Sequence, residues 1–388
     1  MDFGISKEQT MLVKELERFL KKEIGPLVEE YEANHSLENV DILKPILQKL
    51  EPFGLISGPV HESYGGMGLE YVTTGLVFQK LAEYWGSLCG ICIIQCLGAR
   101  FFAEIESDAI RNMYLPGICA AELIPCLCIT EPDVGSNPAN IGTTLTKTEG
   151  GYLLNGNKTF ISNGSVSDVA IVIATVDRSL GAKALAAAIV DRRKTPYEAR
   201  EIHKLGLKTF PTSELFFDNI LVPEDHLVVP PGQGLKATMR TFELARSLMS
   251  SASVGFMQAA LVLAIKYARE REQWGKKIGQ HQLIQEMIFD MKAKTDSAYF
   301  LVNRALWMMD KGMRCEAESA LGKGYSTEVA VEVTKKCMQI MGGYGLTTEY
   351  PAERFYCDAS CMTIPDGTTQ IQQMIVARAL LGGLTAFA

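Results

Sequence analysis

Residues 151–164 read GYLLNGNKTFISNG, and their texture decides the fold. Short apolar and β-branched runs are punctuated by Asn-Gly at 155–156 and 163–164. Asn and Gly tolerate the left-handed backbone of tight turns, so such pairs signal hairpins. The same texture recurs in DVAIVIATVD, ALAAAIVDRR and SELFFDNILVP, which predicts an antiparallel β-domain over 121–235. Outward from it the period becomes helical. Over 1–120, Leu12, Leu16, Phe19 (or Leu20), Ile24 and Leu27 recur every three or four positions. HESYGGMGLEY, 61–71, reads as a turn between helices; no strand precedes its glycines, so they do not make a dinucleotide fingerprint. Over 236–388 helical spacing returns in long segments, and LKATMRTFELARSLMSSASVGFMQAALVLAIKYARERE is predicted to be one helix. Three or four long helices with short connections imply a bundle. The expected fold is mostly α with a middle β-domain.

The chain has 388 residues, 47% of them hydrophobic and 21% charged, which fits a packed globular enzyme rather than a disordered chain. A net charge of −7 disfavours nucleic-acid partners, which demand a basic face. Ten cysteines are scattered without the paired spacing of a zinc site, Cys89 and Cys92 being an isolated pair. They read as buried thiols of a reducing compartment. MDFGISKEQ shows no signal peptide, and the apolar stretch 88–102 reads as too short to span a bilayer. A cytoplasmic protein with no membrane span is expected.

Four segments offer chemistry. CLCITEPDVGSN, 126–137, brings the hydroxyls of Thr130 and Ser136 beside Gly135, where backbone can approach a ligand. YAREREQWGKKIGQHQ, 267–282, clusters Arg269, Arg271, Lys276 and Lys277 around Trp274. It is either a solvated helix end or a seat for a phosphorylated, aromatic cofactor. In QIMGGYGLTTEYPAERFYCDA, 339–359, three glycines interrupt a helix, more than an ordinary C-cap uses. In TIPDGTTQIQ, 363–372, the acid Asp366 sits on a turn before a helical run. It is either a cap residue or a group placed to take a proton.

Taken in order, ESYGGMGL, CITEPDVGSN, NGNKTFISNG, KLGLKTFPTSEL, the 267–282 segment, QIMGGYGLTTEYP and DGTTQIQ resemble the acyl-CoA dehydrogenase superfamily over nearly the whole chain. The resemblance implies an N-terminal helical domain (1–120), a β-barrel-like middle domain (121–235) and a C-terminal four-helix bundle (236–388). It also implies bound FAD, a homotetramer built as a dimer of dimers, an acyl-CoA substrate and an electron-transferring flavoprotein as acceptor. Carried over by position, Thr130, Ser136, Phe160 and Ser162 would contact the flavin and phosphates. Arg271, Gln273, Trp274, Gln282, Gln339, Gly343, Thr368 and Gln370 would complete the FAD cleft, much of it across a dimer interface. Ser136, Gln95, Glu243, Arg246 and Gly367 would lie near the acyl-CoA. Many relatives have Trp in place of Phe160 and Thr in place of Ser162.

Most of the family has Glu where Asp366 stands, and a minority carries it on the earlier helix at the position of Ala245. Alanine cannot take a proton, so the resemblance makes Asp366 the α-proton base. A base one methylene shorter favours a substrate whose α-carbon lies nearer the loop. An alicyclic or short branched acyl group such as cyclohexane-1-carboxyl-CoA is therefore expected. Straight short-chain acyl-CoA is the alternative. Nitroalkane oxidases of the same superfamily also use Asp, and a non-enzymatic assembly protein is the third reading. Cys357 stands where relatives often have Arg.

Overall fold

The computed structural model describes residues 4–34 and 39–382. Six helices come first: α1 (Lys7–Phe19), α2 (Gly25–Asn34), α3 (Val40–Leu50), α4 (Tyr71–Tyr84), α5 (Gly86–Glu104) and α6 (Asp108–Cys119). α1 begins with a reciprocal capping box: Ser6 Oγ accepts from Gln9 N–H at 3.1 Å, and Gln9 Oε1 accepts from Ser6 N–H at 2.9 Å. The expected apolar stripe is buried at Leu16, Leu20 and Ile24.

The strands follow: β1 (Pro125–Cys128), β2 (Thr144–Thr148), β3 (Gly151–Ser162), β4 (Val169–Thr175), β5 (Leu185–Asp191), β6 (Glu198–Glu201), β7 (Thr212–Pro223) and β8 (Leu227–Val229). They form one sheet of order β6-β7-β3-β2-β4-β5-β8, with β1 added on β4. The sheet is not purely antiparallel: β1 runs parallel to β4, and so does β2 at Thr144–Thr175. Neither Asn-Gly pair turns a hairpin. Asn155-Gly156 lies inside β3 at a register shift against β7, and a β-carbon on Gly156 would stand 2.5 Å from Thr143 Oγ1. That glycine serves a bulge and a close approach rather than a turn. Asn163-Gly164 is a turn, but it leads away from the β2–β3–β7 ladder instead of closing a hairpin.

The last third holds α7 (Gly234–Glu270), α8 (Gln282–Asp310), α9 (Glu316–Met341), α10 (Ala352–Cys361) and α11 (Thr369–Leu381). α7 is the single long helix that the sequence predicts, packed on α9, α8 and α4, while α11 packs on α9. Its buried Ser247, Ser250, Ser251 and Ser253 each donate to the carbonyl four residues back, so these four hydroxyls are satisfied within the helix. α5 and α7 are both long and apolar enough to cross a membrane, contrary to the reading of 88–102 as too short. Both lie mostly inside the protein, which accounts for their apolar character.

Candidate active site

The loop between α10 and α11 carries Asp366. Its backbone is left-handed there, with φ of +52° at Asp366 and +93° at Gly367. Aspartate is one of the few L-residues found in that region, and such backbone costs on the order of 1–2 kcal/mol per residue. Side chains from three helices hold it. Arg246 of α7 points Nε at the Asp366 carbonyl (3.5 Å). Gln372 of α11 donates Nε2 to the carbonyls of Asp366 (3.1 Å) and Gly367 (2.7 Å). Lys323 of α9 donates Nζ to the carbonyls of Thr363 (2.9 Å) and Gly367 (2.8 Å).

The carboxylate itself is used differently. The N-cap of α11 is Thr368, and among the described residues the Asp366 carboxylate oxygens accept no hydrogen bond. Burial raises the carboxyl above the ordinary aspartate range, and the cations Lys323 and Arg246 pull it part of the way back. Arg246 is itself buried, with its guanidinium over the Phe242 ring, and Glu243 beside it is pushed up first by burial and then by Glu316.

A second group gathers where β1 gives way to the 129–136 loop. Lys158 of β3, wholly buried, donates to the Ile129 carbonyl and to Glu131 Oε1, both at 2.9 Å. Glu131 also accepts from the N–H groups of Gly142 (2.6 Å) and Thr143 (2.8 Å). Burial would raise the Glu131 carboxyl, but Lys158 and these donors together hold it below the ordinary range. Thr159 N–H donates to the Thr130 carbonyl at 3.0 Å, so Thr130 is pinned one residue away from Phe160 in space. Phe160 has φ of +56° and is 64% exposed: a strained residue that turns a flat apolar side chain outward. Ser162 is half-buried at the end of β3, and Ser136 is exposed beside Gly135.

A third site lies where α7 ends. Tyr267, Arg271, Gln273, Ile278, Gly343 and Thr347 are among the residues lining a cleft of about 490 Å³. A β-carbon built on Gly342 or Gly343 meets nothing within 4 Å, so this wall is open to an occupant. Trp274, 92% exposed with φ of +56°, stands on the turn between Glu272–Gln273 and Lys276–Lys277. Thus Arg271, Gln273 and Gly343 come together, while Trp274, Gln282, Gln339, Thr368 and Gln370 stand outside that lining. Gln95 is fully buried, with its amide donating to the carbonyls of Ile118 (2.9 Å) and Leu123 (2.8 Å). It ties α5 to the end of α6, and the substrate contact expected of it is not carried further.

The motif reading missed Lys158, Lys323 and Gln372. The signal for Lys323 is its setting, a lone cation among small residues in ESALGKGYS, 318–326. The site thus presents a flat apolar side chain at Phe160, a cleft bordered by Arg271 and bare glycines and, among the described residues, an unpartnered carboxylate at Asp366. Comparison with known proteins identifies the group. Residues 6–122, 126–220 and 232–381 match the acyl-CoA dehydrogenase N-terminal, middle and C-terminal domains. The chain is 33% identical to a glutaryl-CoA dehydrogenase of Desulfococcus multivorans over 387 residues, covering 98% of each. It is 33% identical to a cyclohex-1-ene-1-carbonyl-CoA dehydrogenase of Syntrophus aciditrophicus over 97% of this chain and 91% of that one. The structure of butyryl-CoA dehydrogenase from Megasphaera elsdenii superposes with a TM-score of 0.93 at 29% identity, covering 98% of this chain and 100% of that one. The chain belongs to the acyl-CoA dehydrogenase family; it is an FAD-binding oxidoreductase acting on CH–CH bonds of acyl-CoA.

Proposed function

We propose that this enzyme dehydrogenates an alicyclic or short branched acyl-CoA at its α,β bond, with Asp366 taking the α-proton. One observation carries the reading: among the described residues the Asp366 carboxylate caps no helix and accepts no hydrogen bond, yet three helices fix the loop that holds it. A cap residue spends its oxygens on backbone N–H groups. A general base keeps them free and works best when desolvation lifts its pKa toward the operating range. Burial raises the carboxyl, and the cations Lys323 and Arg246 act against that rise.

FAD, when bound, supplies the acceptor for the β-hydride. The residues present fit it: Phe160 offers a flat apolar face, the Thr130 backbone is held to its neighbour Thr159, Ser136 is an exposed hydroxyl on the same loop as Thr130, and Arg271 with Gln273 borders a cleft whose wall at Gly343 is bare. A guanidinium is well suited to a pyrophosphate. Glu243 and Arg246 would meet the acyl-CoA on the α7 side, and the backbone at Asp366 and Gly367 would lie along its thioester.

The ring or branched substrate is supported by the short base and by the largely apolar 88–97 stretch of α5. Its nearest cation, Arg100, is paired with Glu104 at 2.9 Å. One buried Nη of Arg100 lacks a partner among the described residues, so a dicarboxylate belongs among the test substrates. A homotetramer is supported by exposed Leu283 and Phe289 on α8. An electron-transferring flavoprotein is the proposed acceptor, and ten unbridged cysteines suit a reducing, cytoplasmic setting. The test is anaerobic titration of the FAD-loaded protein with cyclohexane-1-carboxyl-CoA, isobutyryl-CoA, butyryl-CoA and glutaryl-CoA, read as loss of flavin absorbance. Bleaching by the first two is expected. Bleaching by straight chains alone defeats the substrate reading, and rapid oxygen use during turnover favours an oxidase.

A further inference from the structure

Lys323 sits where a lysine needs a reason. It is 0% exposed and lies in the first third of α9, flanked by Gly322 and Gly324. A methionine would fill the same volume without the cost of burying an ammonium. Among the described residues Lys323 has no carboxylate within ion-pair distance. Its bonds go to two backbone carbonyls, those of Thr363 and Gly367, which bracket Asp366 within the loop between α10 and α11. Gly324 makes this junction possible from the other side: a β-carbon there would press on the Gln372 side chain at 3.2 Å. The bare backbone lets α11 come close enough for Gln372 to reach the same loop.

We propose that Lys323 is a positioning residue for the reaction: its ammonium staples the Thr363 and Gly367 carbonyls together and so fixes where the Asp366 carboxylate stands. This rests on the reading of Asp366 as the base. The loop's left-handed residues cannot hold their shape by local preference, because a relaxed chain leaves that region. Of the three side chains gripping the loop, Lys323 alone bonds on both sides of Asp366; Arg246 and Gln372 hold only the Asp366–Gly367 side. The charged groups that face Lys323 are Asp366 on the loop, Arg246 on α7 and Glu328 on α9. Burial lowers the lysine to about 8, chiefly against the pull of Asp366, and even a neutral amine keeps two N–H donors for the two carbonyls. The staple therefore holds on both sides of that titration, while the positive charge beside the base is lost above it.

The experiment compares wild-type holoenzyme with Lys323→Met, Lys323→Gln and Asp366→Asn. Four quantities are read: FAD content, acyl-CoA affinity, the anaerobic rate of flavin bleaching at saturating substrate, and its pH profile. Lys323→Met should keep FAD and bind acyl-CoA with affinity close to wild type. Its bleaching rate should fall on the order of 10²-fold, the loss expected from misplacing a reacting group by about 1 Å. The acid limb of its rate profile should move up by about one pH unit, because a cation that favours ionised Asp366 is gone. A lysine that merely stabilises the fold would lower the melting temperature without moving the rate per bound flavin or the acid limb; that result overturns the proposal. Should Lys323→Met fail to hold FAD, Lys323→Gln decides, with the same loss and shift required. Asp366→Asn separates the two claims. If it bleaches like wild type, the reading of the base has failed; if it is inert while the Lys323 variants run normally, only the staple has failed.

Discussion

Replacing Lys158 with methionine tests how the middle domain holds its half of the site. The ammonium is 0% exposed, the Glu131 partner is 8% exposed, and their atoms are 2.9 Å apart. Removing one member of such a buried pair costs about 3–5 kcal/mol, because the other charge is left uncompensated. Glu131 keeps its bonds from Gly142 and Thr143, so the lower end, about 3 kcal/mol, is expected. At about 1.4 kcal/mol per decade this is a factor of about 10² in the local opening equilibrium. Hydrogen–deuterium exchange over 144–162 reads that equilibrium directly, so these amides should exchange about 10²-fold faster near neutral pH. The pH dependence carries the sign. In the wild type the Glu131 carboxyl lies below its ordinary value, so the pair stabilises above the unfolded carboxylate range of about 4.3 and is lost as pH falls through the folded value. In the variant, burial acts on Glu131 with Lys158 gone, so its carboxyl rises and takes a proton at higher pH than in the wild type, after which it needs no cationic partner. The difference from wild type should therefore shrink on acidification, and Glu131→Gln added to Lys158→Met should recover at least half of it. Equal exchange at neutral pH, or a penalty that stays the same in acid, refutes the reasoning. Because Thr130 and Phe160 adjoin the pair, the single variant should also retain FAD less well.

Two further outcomes follow from particular positions. Gly343→Val adds a side chain where nothing lies within 4 Å, so the melting temperature of the FAD-free protein should be unchanged. Filling the cleft should cost about 1–3 kcal/mol of FAD binding, roughly tenfold or more in affinity by equilibrium titration. Asp358, with one oxygen accepting from Leu207 N–H at 2.6 Å and the other without a partner among the described residues, is pushed up to about 7 by burial. A carboxyl whose folded value exceeds its unfolded one of about 3.9 destabilises increasingly as pH rises between the two. Asp358→Asn should thus gain on wild type in thermal stability from about pH 5 to about pH 8; a difference independent of pH contradicts the cause assigned.

Elements with a strong local period were legible in the sequence. α7 was readable from its spacing alone, and so were the strands at 169–175 and 185–191, whose apolar runs are buried throughout. Features that depend on distant partners were not. Asn155-Gly156 has hairpin composition, but Thr143 across the sheet makes it a bulge. The parallel pairing of β1 with β4 joins segments some forty residues apart that no local signal connects. In the site, Asp366 stood out because one acid sat on a turn before an acid-free helix. Phe160 was named by resemblance and Trp274 from its basic cluster, and their left-handed backbones emerge only in three dimensions. Gln95 and Lys323 show from two sides what sequence alone leaves out. A polar residue in an apolar helix suggests a ligand contact, yet Gln95 spends its amide on two carbonyls. A lysine in a helix suggests a solvated face, yet Lys323 reaches a loop 40 and 44 residues away.

The most direct test is single-turnover bleaching in Asp366→Asn. Asparagine tolerates the same left-handed backbone, keeps the side-chain volume and removes only the ability to take a proton. The rate of flavin reduction by a competent acyl-CoA should fall on the order of 10² to 10⁴, with FAD content and melting temperature close to wild type. Undiminished reduction in a protein that merely melts earlier would mean that the carboxylate shapes a turn and that the proton leaves by another route.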